Sequence, residues 1–239
     1  MATRKSTSKS NASGDNAQSL QTFNLLDLQQ YTREKAYSPN ASKDFHLYFA
    51  GRDDLHDILK HVLSRASVSL YLNMFGYDDE ELNDIVMQKA MDPHITVLIT
   101  LDKSQAGSKT EKALLAADFA KNPSAYNTHF VVGESATHQI SHTKGFVADG
   151  LVGGEGSTNW SRSGEGIFII GSTQPAGVGY KAQNNTQSIF TDPDTINRFQ
   201  AELIAEHLAA QQVNKQQAVA VAAAKVAPKT PAAPPPQKK

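Results

Sequence analysis

Residues 142–159 read HTKGFVADGLVGGEGSTN and combine strand-forming residues with the densest set of polar side chains and glycines in the chain. Near its centre, the dipeptide Asp149-Gly150 lies between the apolar runs GFVA and LVGG. Asp-Gly between two apolar runs is the sequence signal of a two-residue β-hairpin turn. The stretch therefore predicts two adjacent antiparallel strands joined at this dipeptide.

The turn determines which side chains of the hairpin share a face. If Ala148 pairs with Leu151, counting back along both strands pairs His142 with Ser157, and paired residues project to the same side. Alternate residues of a strand also share a face, at a spacing of roughly 7 Å. The spacing therefore predicts one cluster of polar side chains on two strands: His142, Lys144, Ser157 and Asn159.

This cluster suits attack on a phosphodiester without a metal ion. Imidazole is a nucleophile and an acid-base group near neutral pH, which gives His142 the reacting role. Lys144 and Asn159 supply donors for the non-bridging oxygens, with Ser157 beside them. Glu155 is expected opposite Lys144 unless a glycine bulge shifts the register. One histidine, one aspartate in a turn and one glutamate are too few ligands for a metal ion, so no metal and no cofactor are predicted.

Asp149 has two interpretations. It is a candidate catalytic residue because of its place between the two halves of the cluster. Its position in the Asp-Gly turn is by itself a sufficient reason for an aspartate there, and that interpretation is favoured.

A histidine that attacks phosphorus needs an acid to protonate the leaving oxygen. No second His-x-Lys occurs among the 8 histidines of the chain. The simplest arrangement is a homodimer whose two-fold axis passes through the active site, with one histidine from each subunit.

Composition excludes several classes of protein. The 239 residues are 39% hydrophobic and include no cysteine, which excludes disulfides, thiol catalysis and cysteine-based zinc sites. No apolar run approaches the roughly 18 to 20 residues that span a bilayer. The N-terminus has basic residues without an apolar segment, so no secretion signal is predicted. A cytoplasmic protein without stable membrane association is expected.

Charge is distributed unevenly along the chain. Residues 1–40 carry five Lys or Arg and three Asp or Glu, and residues 213–239 carry five Lys and no acid, so the remaining 13 bases and 21 acids give the middle a net charge of -8. An acidic body is not a general phosphate-binding surface, so a polyanionic substrate requires a local basic pocket, the tails or another subunit.

Alternating helix and strand patterns predict an α/β domain with a central sheet flanked by helices. We expect a polar, disordered arm over residues 1–40, the catalytic domain over 41–212, and a disordered Ala/Pro/Lys-rich tail over 213–239, although FNLLDLQQY in the arm is compatible with one short docking helix.

Helix caps are expected at Asp78 and Asp192. His56 and His61 are expected to be partly exposed, and His138 to be a polar loop residue. The elements predicted between these boundaries are strands at FHLYFA, SVSLYLNMF, ITVLITL, HFVVG, GIFIIG and TQSIF, and helices at DDLHDILKHVLSRA, DDEELNDIVMQKAM, SKTEKALLAADFAK and DPDTINRFQAELIAEHLAAQ.

The spacing His-x-Lys-x4-Asp-x6-Gly-Ser-x-Asn resembles the HKD motif of the phospholipase D superfamily at every fixed position. Trp160 stands where members of the family commonly have an aromatic residue. The preceding strand, helix and strand resemble those of the small bacterial endonucleases of this family, and the resemblance covers about residues 45–207. It implies a mixed sheet, catalysis without metal, a phosphohistidine on His142 and dimerisation of single-motif members.

The chain departs from the family at one point. The family places a glutamate downstream of the motif, just before the next strand, to orient the nucleophilic histidine. Here that region reads AQNNTQSIFTDPD, with Asn184, Asn185 and Gln187 but no acid before the strand. Glu155, Glu165 or an asparagine is then left to replace it, and Asn185 is a candidate substrate contact.

Three functions remain open from the sequence. The leading hypothesis is an endonuclease that cleaves DNA or RNA as a homodimer. The same cluster also serves lipid phosphodiesters, which gives a phospholipase or phosphatidyl-transferase as the second. The missing glutamate gives the third, a nucleic-acid-binding dimer with weakened catalysis.

Overall fold

A computed structural model of the chain describes residues 23–102, 128–133, 141–170 and 175–226. Within this part of the chain, seven strands form one sheet in the order β1-β7-β6-β5-β2-β3-β4. The pairs β2/β3 and β3/β4 are parallel, and the remaining neighbours are antiparallel, so the predicted mixed sheet is confirmed. The strands are β1 Phe45–Phe49, β2 Ser69–Met74, β3 Thr96–Asp102, β4 Thr128–Gly133, β5 Lys144–Ala148, β6 Val152–Gly156 and β7 Thr186–Phe190.

Helices cover both faces of this sheet. The main core, to which α1 and α2 contribute, holds residues such as Phe146 and Ala148 from the sheet. On the other face, Val147 packs with Ile196 and Leu203 of α4 in a smaller cluster. Alternate residues of β5 therefore belong to opposite layers, as strand geometry requires. The helices are α1 Leu55–Ser64, α2 Glu80–Met91, α3 Arg162–Glu165 and α4 Pro193–Val226, preceded by a 3-10 helix over Leu25–Tyr31.

The ordered domain is longer at both ends than the sequence predicted. Leu25 and Leu28 of the 3-10 helix are buried in the main core, because FNLLDLQQY packs its leucines against α1. The boundary at residue 41 is therefore corrected to at least Phe23. At the other end, α4 continues through the alanine-rich segment to Val226. Alanine is the best helix former, which explains why the helix passes residue 213.

Two local predictions are also corrected. Asp79, not Asp78, caps α2, and its side chain accepts a hydrogen bond from the backbone N–H of Leu82 at 2.8 Å. Residues 166–170 of the run GIFIIG form a turn instead of a strand, because Gly166 adopts a left-handed conformation (φ 70°) and ends α3. The predicted cap at Asp192 is confirmed. The predicted helix SKTEKALLAADFAK and His138 lie outside the described residues.

None of the helices in the described ranges is long and apolar enough to cross a membrane.

The Asp149 turn connects the hairpin to the start of β2. Asp149 and Gly150 both have positive φ, at 56° and 65°, as a turn of this hairpin type requires. The Asp149 carboxylate accepts hydrogen bonds from three consecutive backbone N–H groups, those of Ser67, Val68 and Ser69, at 2.8 to 3.1 Å. It also accepts one from the Ser67 hydroxyl at 3.1 Å. Asp149 therefore stabilises the turn after the last residue of β5, whereas Lys144 is the first residue of that strand.

Replacement of Asp149 by alanine should lower the free energy of unfolding by roughly 2 to 4 kcal/mol, because three backbone donors lose a charged acceptor. Urea denaturation measures this change. Asp84→Ala on the exposed side of α2 is the matched control, with an expected change within about 0.5 kcal/mol. Equal stability of the two variants would contradict the structural role assigned to Asp149.

Candidate active site

The β5–β6 hairpin is present, but its register differs by one residue from the prediction. Ala148 pairs with Val152 and Gly145 pairs with Glu155, because Leu151 lies in the connection between the strands. Glu155 therefore does not lie opposite Lys144. It shares the face of Gly145, where an added Cβ would collide with the Phe199 ring of α4, and its own side chain is exposed.

Lys144 is a buried ammonium at the first position of β5, with 4% of its surface exposed. Its Nζ donates to the backbone carbonyl of His142 at 2.8 Å and lies 4.8 Å from the centre of the Phe75 ring. No carboxylate of the described residues lies within ion-pair distance of it. Burial lowers the pKa of Lys144, and the more distant charges of Glu155 and Asp102 only partly oppose that effect.

His142 lies just before β5 with an exposed side chain. Its ring packs against Phe75 at 4.6 Å between centroids, so Phe75 contacts both His142 and Lys144. The residue before it, Ser141, is fixed by two buried contacts. Its N–H donates to the Asp102 carboxylate at 2.6 Å, and its hydroxyl donates to Asn73 at 2.9 Å. The backbone on both sides of the imidazole is therefore held while the ring itself faces outward.

Asn159, which follows β6, lies against the segment that contains Phe75. A Cβ added to Gly76, the residue after Phe75, would lie 2.9 Å from the Asn159 Cγ, so only glycine admits this side chain. The Asn159 Oδ1 is buried, and no described residue hydrogen-bonds to it. The backbone N–H of Trp160 donates to Gly76 at 2.9 Å, which fixes the position of Asn159. Three of the four predicted residues therefore lie against the short segment of Phe75 and Gly76: His142, Lys144 and Asn159.

Ser157 and Asn185 form a different contact from the one predicted. The Ser157 hydroxyl donates to the Asn185 Oδ1 at 3.1 Å and accepts from the Thr186 N–H at 3.0 Å. Asn185 is buried, and its amide nitrogen donates to the Gly164 carbonyl at 2.9 Å. An added Cβ on Gly156 would collide with the Thr186 carbonyl. The Gly-Ser part of the motif therefore joins β6 to the start of β7, and Asn185 is a support for Ser157.

No group among the described residues hydrogen-bonds to the His142 ring in place of the missing glutamate. Glu165 is excluded from that role, because its carboxylate contacts His56 at 2.5 Å. Gln187 lies on the same face of the sheet as Lys144. It pairs with Gly156, lies on the face of Ile189 and Gly154, and is 1% exposed, with its Oε1 buried and without a hydrogen-bond partner in the described part of the chain.

The sequence did not identify Phe75, Gly76, Asn73 and Asp102 as part of the site. Their signal is positional: they follow or end the parallel strands β2 and β3, beside the start of β5. Polar residues at strand ends within apolar runs, as in SLYLNMFG and ITVLITLD, are the pattern from which they were predictable.

Replacement of Lys144 by methionine should raise the free energy of unfolding by about 1 kcal/mol at neutral pH, because a buried charge is exchanged for an apolar side chain beside Met74. The folded pKa of Lys144 lies below its unfolded value, so the charge costs stability below the folded pKa. That cost disappears as the pH rises toward the unfolded pKa. Urea titrations of both proteins across this range measure the difference; a less stable variant at neutral pH would contradict it.

No protein-family model matches this sequence, and no curated protein matches it. Solved structures do match its fold. Nuc from Salmonella typhimurium, a phospholipase D family member, is 12% identical with a TM-score of 0.50 over 68% of this chain and 94% of that one. NucT from Helicobacter pylori is 17% identical with a TM-score of 0.50 over 70% of this chain and 98% of that one. The chain therefore has the fold of a phospholipase D family member.

Proposed function

We propose that this protein is a phosphodiesterase of the phospholipase D type that cleaves nucleic acid through a phosphohistidine on His142. The observation that carries the proposal is the Lys144 ammonium, buried without a carboxylate in contact among the described residues. At about 4 Å a charge pair is worth roughly 1 kcal/mol in water but about 4 kcal/mol at an effective dielectric of 20. A substrate phosphate supplies the missing negative charge.

The reaction proceeds in two displacements. A ring nitrogen of His142 attacks phosphorus, the bond to the leaving oxygen breaks, and a second histidine protonates that oxygen. Water then attacks the phosphohistidine, the phosphorus–nitrogen bond breaks, and the second histidine accepts the proton from water. Lys144 and Asn159 hold the non-bridging oxygens, while Ser157 and Asp149 maintain the backbone around them.

The second histidine is assigned to the His142 of another copy of the chain. No other His-x-Lys exists in the sequence, so one chain carries half of the catalytic groups. A two-fold axis through the site places equivalent residues opposite each other, which provides the acid without a further motif.

Single-stranded and double-stranded DNA and RNA should be cleaved in excess chelator, and His142→Ala should lower the rate by at least about a thousandfold. His94→Ala is the matched control, because His94 is exposed on a loop after α2 and should leave the rate unchanged. A vesicle arm with phosphatidylcholine tests the lipid alternative. Release of choline without cleavage of nucleic acid would replace the proposed substrate class.

Dimeric catalysis is tested with hybrids that carry one wild-type and one His142→Ala subunit, each with its own affinity tag. A shared active site predicts almost no activity in the hybrid, whereas independent sites predict about half of the wild-type rate. A hybrid with His94→Ala controls for the effect of tandem purification. Half-activity in the His142→Ala hybrid would contradict the shared site.

One observation favours a second candidate function, nucleic-acid binding with weak turnover. The His142 ring has no hydrogen-bond partner among the described residues, and the family glutamate is absent. A protein of that kind would bind oligonucleotides with equal affinity in the wild type and in His142→Ala, and the wild type would form product only slowly.

A further inference from the structure

A second cluster of ionisable side chains lies outside the proposed active site. His56 from α1, Asp79 at the N-terminus of α2 and Glu165 from α3 are buried, with side chains 5%, 3% and 0% exposed. One nitrogen or oxygen atom of each lies within 4.8 Å of the others. His56 Nδ1 is 2.5 Å from Glu165 Oε2 and 3.7 Å from Asp79 Oδ2.

The charges of this cluster do not balance. Glu81, which contacts the other nitrogen of His56, has its own cation in Lys60, at 2.8 Å. Asp79 and Glu165 then share one imidazole, so a protonated His56 still leaves a net negative charge in a buried place. Buried charges without compensation are costly. A dication beside a neutral imidazole would balance both carboxylates.

An unpartnered oxygen points to the same conclusion independently of charge. The Oε1 of Glu165 is buried, and no described residue hydrogen-bonds to it. Buried polar atoms without a partner are rare and call for a bound water or ion.

The orientation of His56 is that of a metal ligand. Its Nδ1 faces the two carboxylates, while its Nε2 contacts the Glu81 carboxylate at 3.4 Å. Histidines that bind metals commonly donate their second ring N–H to a carboxylate in this way. Tetrahedral Zn²⁺ with N and O ligands separates its donors by about 3.3 Å. The observed 2.5 and 3.7 Å bracket that spacing, so small side-chain shifts suffice.

From this geometry we propose that His56, Asp79 and Glu165 bind one divalent transition-metal ion, with Zn²⁺ as the best match to one imidazole and two carboxylates. The ion replaces the proton shared by His56 and Glu165, and water completes its coordination. This inference does not depend on the proposed phosphodiesterase activity.

The bound ion stabilises the fold and takes no part in the proposed reaction. The backbone N–H of Asp79 donates to the Trp160 carbonyl at 3.0 Å, and the N–H of Glu165 donates to the Ser161 carbonyl at 2.9 Å. Two of the three ligands, Asp79 and Glu165, therefore contact the backbone that follows Asn159. A bound ion would hold α1, the start of α2 and α3 together behind the Asn159 side of the active site.

The test uses the full chain, freed of metal with a chelator and then titrated with Zn²⁺. The proposal predicts about one ion per chain by elemental analysis after desalting and a rise in melting temperature on the order of 5 °C. Co²⁺ should give the intense visible absorption of a four-coordinate site. Glu165→Gln, which keeps the shape of the side chain, should weaken Zn²⁺ binding by roughly a hundredfold.

Asp84→Asn is the matched carboxylate control, and His142→Ala tests whether the active-site histidine binds the ion instead. Both should keep the Zn²⁺-dependent rise in melting temperature. No bound Zn²⁺ in the wild type, or an equal rise in Glu165→Gln, would overturn the proposal and leave the cluster as a proton-linked pair. Cleavage of nucleic acid by metal-free protein, assayed below its melting temperature, is a separate readout and decides only the proposed function.

Discussion

The buried ammonium of Lys144 is the central constraint of the candidate active site. Its Nζ is stabilised by a backbone carbonyl and by the Phe75 ring, both weaker partners for a charge than a carboxylate. A fold selected for stability alone would place an apolar side chain at this point of β5, opposite Met74. A lysine at this position is explained if its ammonium binds an anionic group of the substrate.

The surrounding structure holds this charge in place from several directions. The Asp149 carboxylate fixes the far end of the hairpin to the start of β2. Asp102 and Asn73 hold Ser141, next to His142. Gly76 admits the Asn159 side chain against the same segment that carries Phe75. These contacts come from residues far apart in sequence, and together they define the site.

Part of this arrangement was predictable from the sequence because it depends on local rules. The Asp-Gly turn, the α/β layering and the Asp192 cap all follow from short patterns, whereas the mixed sheet was implied by the resemblance to the phospholipase D superfamily. The register error came from Leu151, since a turn signal does not reveal one extra residue in the connection. GIFIIG was misread because a short apolar run fits several structures, and the left-handed Gly166 decides against a strand here. His56 was expected to be partly exposed but is buried, because its partners Asp79 and Glu165 are distant in sequence and reach it only in the folded chain.

The most direct test of the central claim is the capture of the covalent intermediate. Rapid acid-free quenching of the protein with an oligonucleotide in chelator, followed by peptide mass spectrometry under alkaline conditions, locates any phosphoramidate bond. A nucleotide adduct is expected on the peptide that carries His142, formed before product and absent in His142→Ala. Product formation at the full rate, with no adduct on that histidine at any time, would contradict it.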